Sequence, residues 1–483
     1  MRLVVGIDLG TQSCKAVVCD AELRVLGAHQ IPIATTHPQP GWAEQDPEGW
    51  FAALAPAIAR ALELADASPH DVAALALTGQ LDGCVPVDAD AKALHPALIW
   101  QDKRAHAHGS DPGRVFALTG QVADPSHLAP KLAWLRAHGI RAARWHEPTS
   151  YLVARLTGEH VIDPALASTT MLFELAANAW SPELCAAFAV DLRELPELRA
   201  ATSIAGVLRE PLAGIPVGTP VAVGTGDDFA TPLGAGVVAP GHAICAIGTA
   251  EVVGALAATP VFDRASEPML ETHAYPTGAF FVENPGWLSG GAVRWASQLL
   301  GLGSDAELDA LAATAPPGAG GVTFIPALGG AMTPVWRPHA RGTLHGLAAA
   351  HGREHVARAI LEGLAFAERD VVDRLAALGL PTSRVLVLGG GARSTTWTQI
   401  RADALGRPHQ IAARARDTCA IAAAMIGAVA VGLQPDLDAA ARTAPPPIAT
   451  LLPQVSLDDA YARYGALQRE LASLSERPWA TTR

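Results

Sequence analysis

The sequence predicts an α/β protein built from two related domains, and three observations carry that prediction. The chain has 483 residues, more than one ordinary hydrophobic core accommodates. Apolar runs of strand length alternate along it with stretches of helical periodicity. A pattern of strand, Gly-Thr turn and strand stands at residues 3–20 and returns about 240 residues later, at 243–256. The boundary is placed at residue 240, giving domains 1–240 and 241–483.

Composition narrows the function classes. Half the residues are hydrophobic and 17% are charged, which fits a packed globular chain. A net charge of −12 argues against nucleic-acid and anionic-membrane partners. The six cysteines include no C-x-x-C pair, so neither a zinc framework nor a disulfide scaffold is expected. Residues 1–10 carry Asp8 and lack the apolar centre of a signal peptide. The longest apolar run, 419–432, is about 14 residues, short of the ~18 to 20 a membrane span needs. A cytoplasmic protein is the expectation.

Residues 3–8 and 16–20 read as two strands joined by Gly10-Thr11-Gln12-Ser13, a hairpin. The turn offers backbone N–H groups and hydroxyls beside Asp8 and Lys15. That mix suits a metal-bound phosphate, with Lys15 for the oxygens and Asp8 for Mg²⁺ or its water shell. A plain polar turn is the alternative, and a Walker loop is excluded by the spacing. Residues 51–65 are helical, and the strand at 72–78 ends in Gly79-Gln80-Leu81-Asp82-Gly83. Ligands of open α/β sheets bind beyond the carboxyl ends of strands, so Gln80 and Asp82 are site candidates. A simple turn is the alternative. Another strand-like run ends at Ile99, followed by Trp100, Asp102, Lys103 and Arg104. Trp100 is available either to stack on a sugar face or to pack in the core. Residues 131–137 and 149–157 are helical, the second stopped by Gly158.

The first half is organised around Gly224-Thr225-Gly226-Asp227-Asp228, between an apolar run and a helix starting near Phe229. Adjacent carboxylates repel and glycines weaken a strand, a local conflict typical of functional sites. An Asp N-cap is the structural alternative. In the second half, residues 243–247, Gly248-Thr249-Ala250-Glu251 and 252–256 repeat the first hairpin. A helix begins at 290, a strand ends at 326, and residues 329–342 form an irregular loop. Residues 351–375 read as a helical region interrupted at Glu362-Gly363. Its start, His351-Gly352-Arg353-Glu354-His355, matches a zinc-protease pattern, but Gly352 weakens the helix that pattern needs and no third ligand is evident. The strand at 384–388 precedes Gly389-Gly390-Gly391-Ala392-Arg393-Ser394, where glycines permit close approach to a nucleotide and a helix from Thr396 presents its N-terminus. A dinucleotide fingerprint would need Gly or Ala in place of Ser394 and an acid ~20 residues on, so a mononucleotide ranks first. Residues 419–432 and 457–474 are the last two helices.

Taken in order, these motifs resemble the FGGY carbohydrate kinases, within the actin, hexokinase and heat-shock-protein ATPase superfamily. The matching stretches are Gly6-Ile7-Asp8-Leu9-Gly10-Thr11, Gly41-Trp42-Ala43-Glu44-Gln45-Asp46-Pro47, Gly79-Gln80, Trp100-Gln101-Asp102, residues 151–158, Gly226-Asp227-Asp228, Gly248-Thr249, Glu362-Gly363 and residues 389–394. The resemblance implies two ribonuclease-H-like domains with a cleft between them, sugar held mainly by the first and ATP mainly by the second. It makes Asp227 the catalytic base and associates Asp8 with Mg²⁺ and phosphate, with Asp227 as a further metal neighbour. It lays Gly389-Gly390-Gly391-Ala392 and Ser394 against adenosine, and gives the phosphates to Gly10, Thr11, Gln12, Lys15, Gly248 and Thr249. Gln80, Leu81, Asp82, Trp100, Asp102 and Asp228 are left to read the sugar.

Within the family the xylulokinases are the nearest group. They carry Met-His where this chain has Leu81-Asp82; glycerol kinases carry Arg-Glu there, and the family usually has Asn or Gln at Asp228. The expected activity is therefore ATP-dependent phosphorylation of a terminal hydroxyl on a small sugar, a ketopentose such as D-xylulose. Glycerol-, erythritol- or gluconate-like substrates are the alternatives, followed by an actin-like ATPase or sugar sensor and a dinucleotide oxidoreductase. A homodimer is left open.

Overall fold

The computed structural model describes residues 2–105, 111–413 and 417–475. Each half of the chain builds its own mixed sheet, and the two sheets share one plan. In the first, strand Leu3–Leu9 runs antiparallel to Ser13–Cys19 and parallel to Val72–Gly79. In the second, Ala243–Ile247 runs antiparallel to Ala250–Ala257 and parallel to Val385–Gly389. The repeat seen in the sequence is thus architectural, two actin/hexokinase-type α/β units in one chain.

Two helices lie between the sheets: Asp227–Gly234 and the alanine-rich Thr418–Ala430. The second is buried on nearly all sides, which is why its residues are apolar all round. Its small side chains permit close packing. A Cβ on Gly6 of the first sheet would sit 1.9 Å from the Ala420 carbonyl oxygen. Val4, Ala76, Ile244, Leu388 and Ala424 meet in this single core, so a helix late in the second half is integral to the first.

One expectation is corrected. The helix Arg353–Ala377 passes through Gly363 unbroken. Glycine stands there because a Cβ would meet the Phe324 carbonyl oxygen at 2.3 Å, which no local signal reveals. The zinc pattern also dissolves, since His351 precedes the helix that His355 joins. Among the described residues the group with metal-ligand spacing is Cys245, Glu251 and Glu368, and Arg401 pairs with both of its carboxylates.

Candidate active site

The carboxyl ends of three parallel strands converge. Leu3–Leu9 ends beside Val72–Gly79, and the short strand Thr225–Gly226 pairs with Thr78 and Gly79. Asp8, Gln80 and Asp227 are delivered together at that edge, where open α/β sheets bind ligands. Gly224 (φ +78°) makes the turn, with the Leu77 carbonyl oxygen 2.0 Å from where a Cβ would stand. The N-cap of the following helix is Gly226, without a side-chain cap bond, so neither aspartate caps it. Asp227 and Asp228 occupy its first turn, and the backbone N–H groups of both favour the charged form of the Asp227 carboxylate.

Burial and mutual repulsion set the charges. Burial, with the Asp227 charge nearby and Lys15 only partly offsetting it, pushes Asp8 up to about 7. Burial pushes Asp227 up to about 6. Burial and the Asp227 charge lift Asp228 well above the carboxylate range. Asp8 Oδ1 is buried without a hydrogen-bond partner. An orphaned carboxylate oxygen beside a second carboxylate is chemistry a divalent cation would satisfy, so the donor set fits Mg²⁺. Lys15 ion-pairs at 2.8 Å with Asp417, just before the helix Thr418–Ala430, which links the phosphate turn to the central helix.

The remaining candidates divide. Gln80 is buried, donating to Gln45 Oε1 at 2.8 Å while its own Oε1 lacks a partner. Thr11 Oγ1 accepts the Trp100 indole N–H at 2.9 Å, leaving that ring 39% exposed; Trp100 is a rim residue and no part of the core. Gly10 and Gln12 complete the turn, Gln12 exposed. Leu81 packs half-buried against the shared core and beside Leu166 and Phe173. Asp82 adopts a left-handed φ of 59° and meets His127 Nδ1 at 2.9 Å.

Asp102 is a correction. It is fully buried, and its oxygens receive the Ala43 N–H at 2.7 Å and the Arg104 guanidinium, so neither is left for a sugar hydroxyl. Arg104 in turn lies 3.5 Å over the Trp42 ring and pairs with Glu44, which makes Asp102 the anchor of a buried platform.

In the second half the two glycine stretches lie side by side, because Ile247 pairs with Gly389. Gly248 and Thr249 form an exposed turn, and the Thr249 carbonyl accepts from the Ser289 and Gly291 N–H groups. Gly389 (φ +80°) and Gly391 both close on Ile247, where a Cβ would lie within 2.5 Å of its atoms. Gly390 has open space around it. Two assignments change: Ala392 is buried in the core of this half, and Ser394 caps the helix Thr395–Leu405 through the Trp397 N–H at 2.9 Å. Neither side chain is free for adenosine.

Sequence reasoning missed His127, Lys131, Glu271, His273 and Glu283. Lys131 is fully buried and its ammonium holds the Asp82 and Ile99 carbonyls at 2.5 and 2.7 Å. Glu271 and His273 share a face of strand Glu271–Ala274, and Glu283 stands opposite Glu271 on the next strand. The alternation Glu-Thr-His was a readable signal for two polar groups on one strand face. His127, alone in an apolar helix start, offered none.

A two-lobed fold of this kind, with paired carboxylates at one strand edge and paired glycine turns at the other, defines a phosphoryl-transfer enzyme. Residues 3–234 match the N-terminal domain of the FGGY family of carbohydrate kinases, and residues 243–431 match its C-terminal domain. The xylulose kinase of Escherichia coli K12 is 31% identical, covering 96% of each chain. The glycerol kinase of Thermococcus onnurineus is 32% identical over 89% of each. The solved xylulose kinase of Rhodospirillum rubrum superposes with a TM-score of 0.88 at 28% identity, covering 99% of this chain and all of that one. The chain belongs to the FGGY carbohydrate kinases and is an ATP-dependent sugar kinase. The dinucleotide oxidoreductase reading is thereby set aside. No helix among the described residues is long and apolar enough to cross a membrane.

Proposed function

We propose that the enzyme transfers the γ-phosphoryl group of ATP to a terminal hydroxyl of a ketopentose such as D-xylulose. The observation that carries this reading is Asp227, half-buried at the strand edge with its carboxyl pushed up to about 6. A general base poised near neutral pH takes the hydroxyl proton as the oxygen attacks phosphorus, and positioning does the rest. Asp8, with Asp227 nearby, would hold Mg²⁺, which supplies charge neutralisation between the phosphate oxygens when bound. The Gly10 and Gly248 N–H groups close their own turns on the Ser13 and Ala250 carbonyls, so Thr11 and Thr249 orient the phosphates, and Gly389, Gly390 and Gly391 leave room for the nucleoside. Residues 1–240 supply the sugar side and 241–483 the nucleotide side. The similarity to glycerol kinases, together with an acid at Asp82, favours a smaller polyol as the second reading.

A coupled ADP-release assay over D-xylulose, glycerol, erythritol and D-gluconate, with mass spectrometry of the product, tests the reading. D-Xylulose is expected to give the highest kcat/KM and a monophosphate. Sugar-stimulated ADP release without any phosphosugar would contradict it.

A further inference from the structure

The acidic pocket beside Asp227 contains a chain of side chains that crosses from one half of the molecule to the other. His127 Nδ1 lies 2.9 Å from Asp82 Oδ1, while His127 Nε2 lies 3.2 Å from the Val122 carbonyl oxygen and 3.8 Å from Glu271 Oε1. Glu271 Oε1 also accepts the Val122 N–H at 2.8 Å, and the Thr272 N–H donates to the Gly120 carbonyl at 3.0 Å. The edge strand of the second sheet is thus stitched to the loop that carries His127. On the other side Lys131 fixes the Asp82 carbonyl, holding a non-glycine residue in left-handed backbone. With Oδ1 committed to His127, Asp82 Oδ2 makes no hydrogen bond among the described residues. Two buried oxygens nearby lack partners as well: Gln80 Oε1 and Glu283 Oε2, on side chains 1% and 2% exposed.

Carboxylates outnumber the cations around this pocket, where His127, Lys131 and His273 are each held by acidic groups or backbone carbonyls. The groups that act on Asp228 after its burial are the carboxylates of Asp227, Asp82 and Glu271, and Glu283 feels Asp228, Glu271, Asp82 and Asp227. His127 and Lys131 are the cations in contact with Asp82, and both are already committed, to Asp82, Glu271 and backbone carbonyls. A substrate hydroxyl can donate to Asp82 Oδ2, whereas a substrate carboxylate would find the nearby cations His127 and Lys131 already committed.

We infer that His127 and Glu271, one from each half, position Asp82 as a hydroxyl acceptor, and that the pocket selects uncharged polyols and ketoses over sugar acids. The inference rests on the kinase reading and narrows its substrate class. It also makes the sugar pocket complete only when the strand Glu271–Ala274 is docked on the first half.

Isothermal titration of D-xylulose, erythritol and D-gluconate, run beside steady-state turnover, separates the two levels. The wild type is expected to bind a neutral member and to discriminate against D-gluconate by roughly 100-fold. His127→Gln is expected to raise the Kd and KM of that neutral member by roughly 10-fold while the KM for ATP stays within about twofold. Glu271→Gln should move the same constants in the same direction, and the double variant should be no worse than the weaker single one. Circular dichroism checks folding, and Glu271→Gln serves if His127→Gln does not fold. Tighter binding of D-gluconate, no binding of any neutral member, or equal rises in both KM values would overturn the inference. Binding of a neutral sugar without turnover would contradict the kinase reading and leave this one standing.

Discussion

Asp8 and Asp227 carry the electrostatic strain of the site, and that strain has a measurable pH signature. Asp8 is held near 7 in the folded chain against a model-peptide value of 3.8, so the folded state binds its proton more tightly than the unfolded state. The stability it contributes is full below about pH 4 and is lost as pH rises towards 7. Asp8→Asn removes a carboxylate that must ionise while buried. Without ligands at pH 7.5, the variant is expected to gain about 2 to 4 kcal/mol in urea unfolding while losing phosphorylation. An unchanged slope of stability between pH 4 and 7 would contradict this. Asp8 was legible in the sequence because a carboxylate beside a Gly-Thr hairpin turn is a local pattern. The role of Asp102 was not, since only the fold shows that Arg104 and the Ala43 N–H take up both of its oxygens.

The elements tell the same story of local against tertiary causes. The two hairpins were readable because strand, turn and strand are contiguous, and both form as antiparallel pairs. The unbroken helix Arg353–Ala377 was misread, since the reason for Gly363 is the Phe324 carbonyl, distant in sequence. The helix Thr395–Leu405 carries a second element-scale device. Arg401 reaches Glu251 at 2.7 and 2.6 Å and also pairs with Glu368, all three side chains fully buried. Ser289 Oγ donates to Glu251, and the Ser289 N–H donates to the Thr249 carbonyl, so the phosphate turn and the helix after the glycine run are tied together. Arg401→Met removes the guanidinium from two buried carboxylates, leaving Glu251 with Ser289 and Glu368 with His409, and is expected to destabilise the protein by about 3 to 5 kcal/mol in urea unfolding. A loss below about 1 kcal/mol would show that the network carries little of the second half's stability.

Across the whole molecule, the two sheets meet through the helices Asp227–Gly234 and Thr418–Ala430, and Asp227, the proposed base, opens the first of them. Cys419, at the start of the second helix, lies 3.0 Å from Thr231 Oγ1 of the first, which locks the pair at the site end. This arrangement explains why the Gly224-Thr225-Gly226-Asp227-Asp228 stretch is so ill-suited to a scaffold: it joins the strand edge, the helix pair and the acidic pocket. The family and its chemistry were legible from ordered local motifs. The sugar-side partners His127 and Glu271 were not, because they come from separate halves and meet only in three dimensions. The central claim is that Asp227 accepts the substrate proton. Single-turnover phosphoryl transfer by Asp227→Asn, using radiolabelled ATP and the preferred sugar, tests it most directly. The account predicts a rate lowered by roughly 1,000-fold with the Kd for ATP within about threefold of wild type; transfer at the wild-type rate would contradict it.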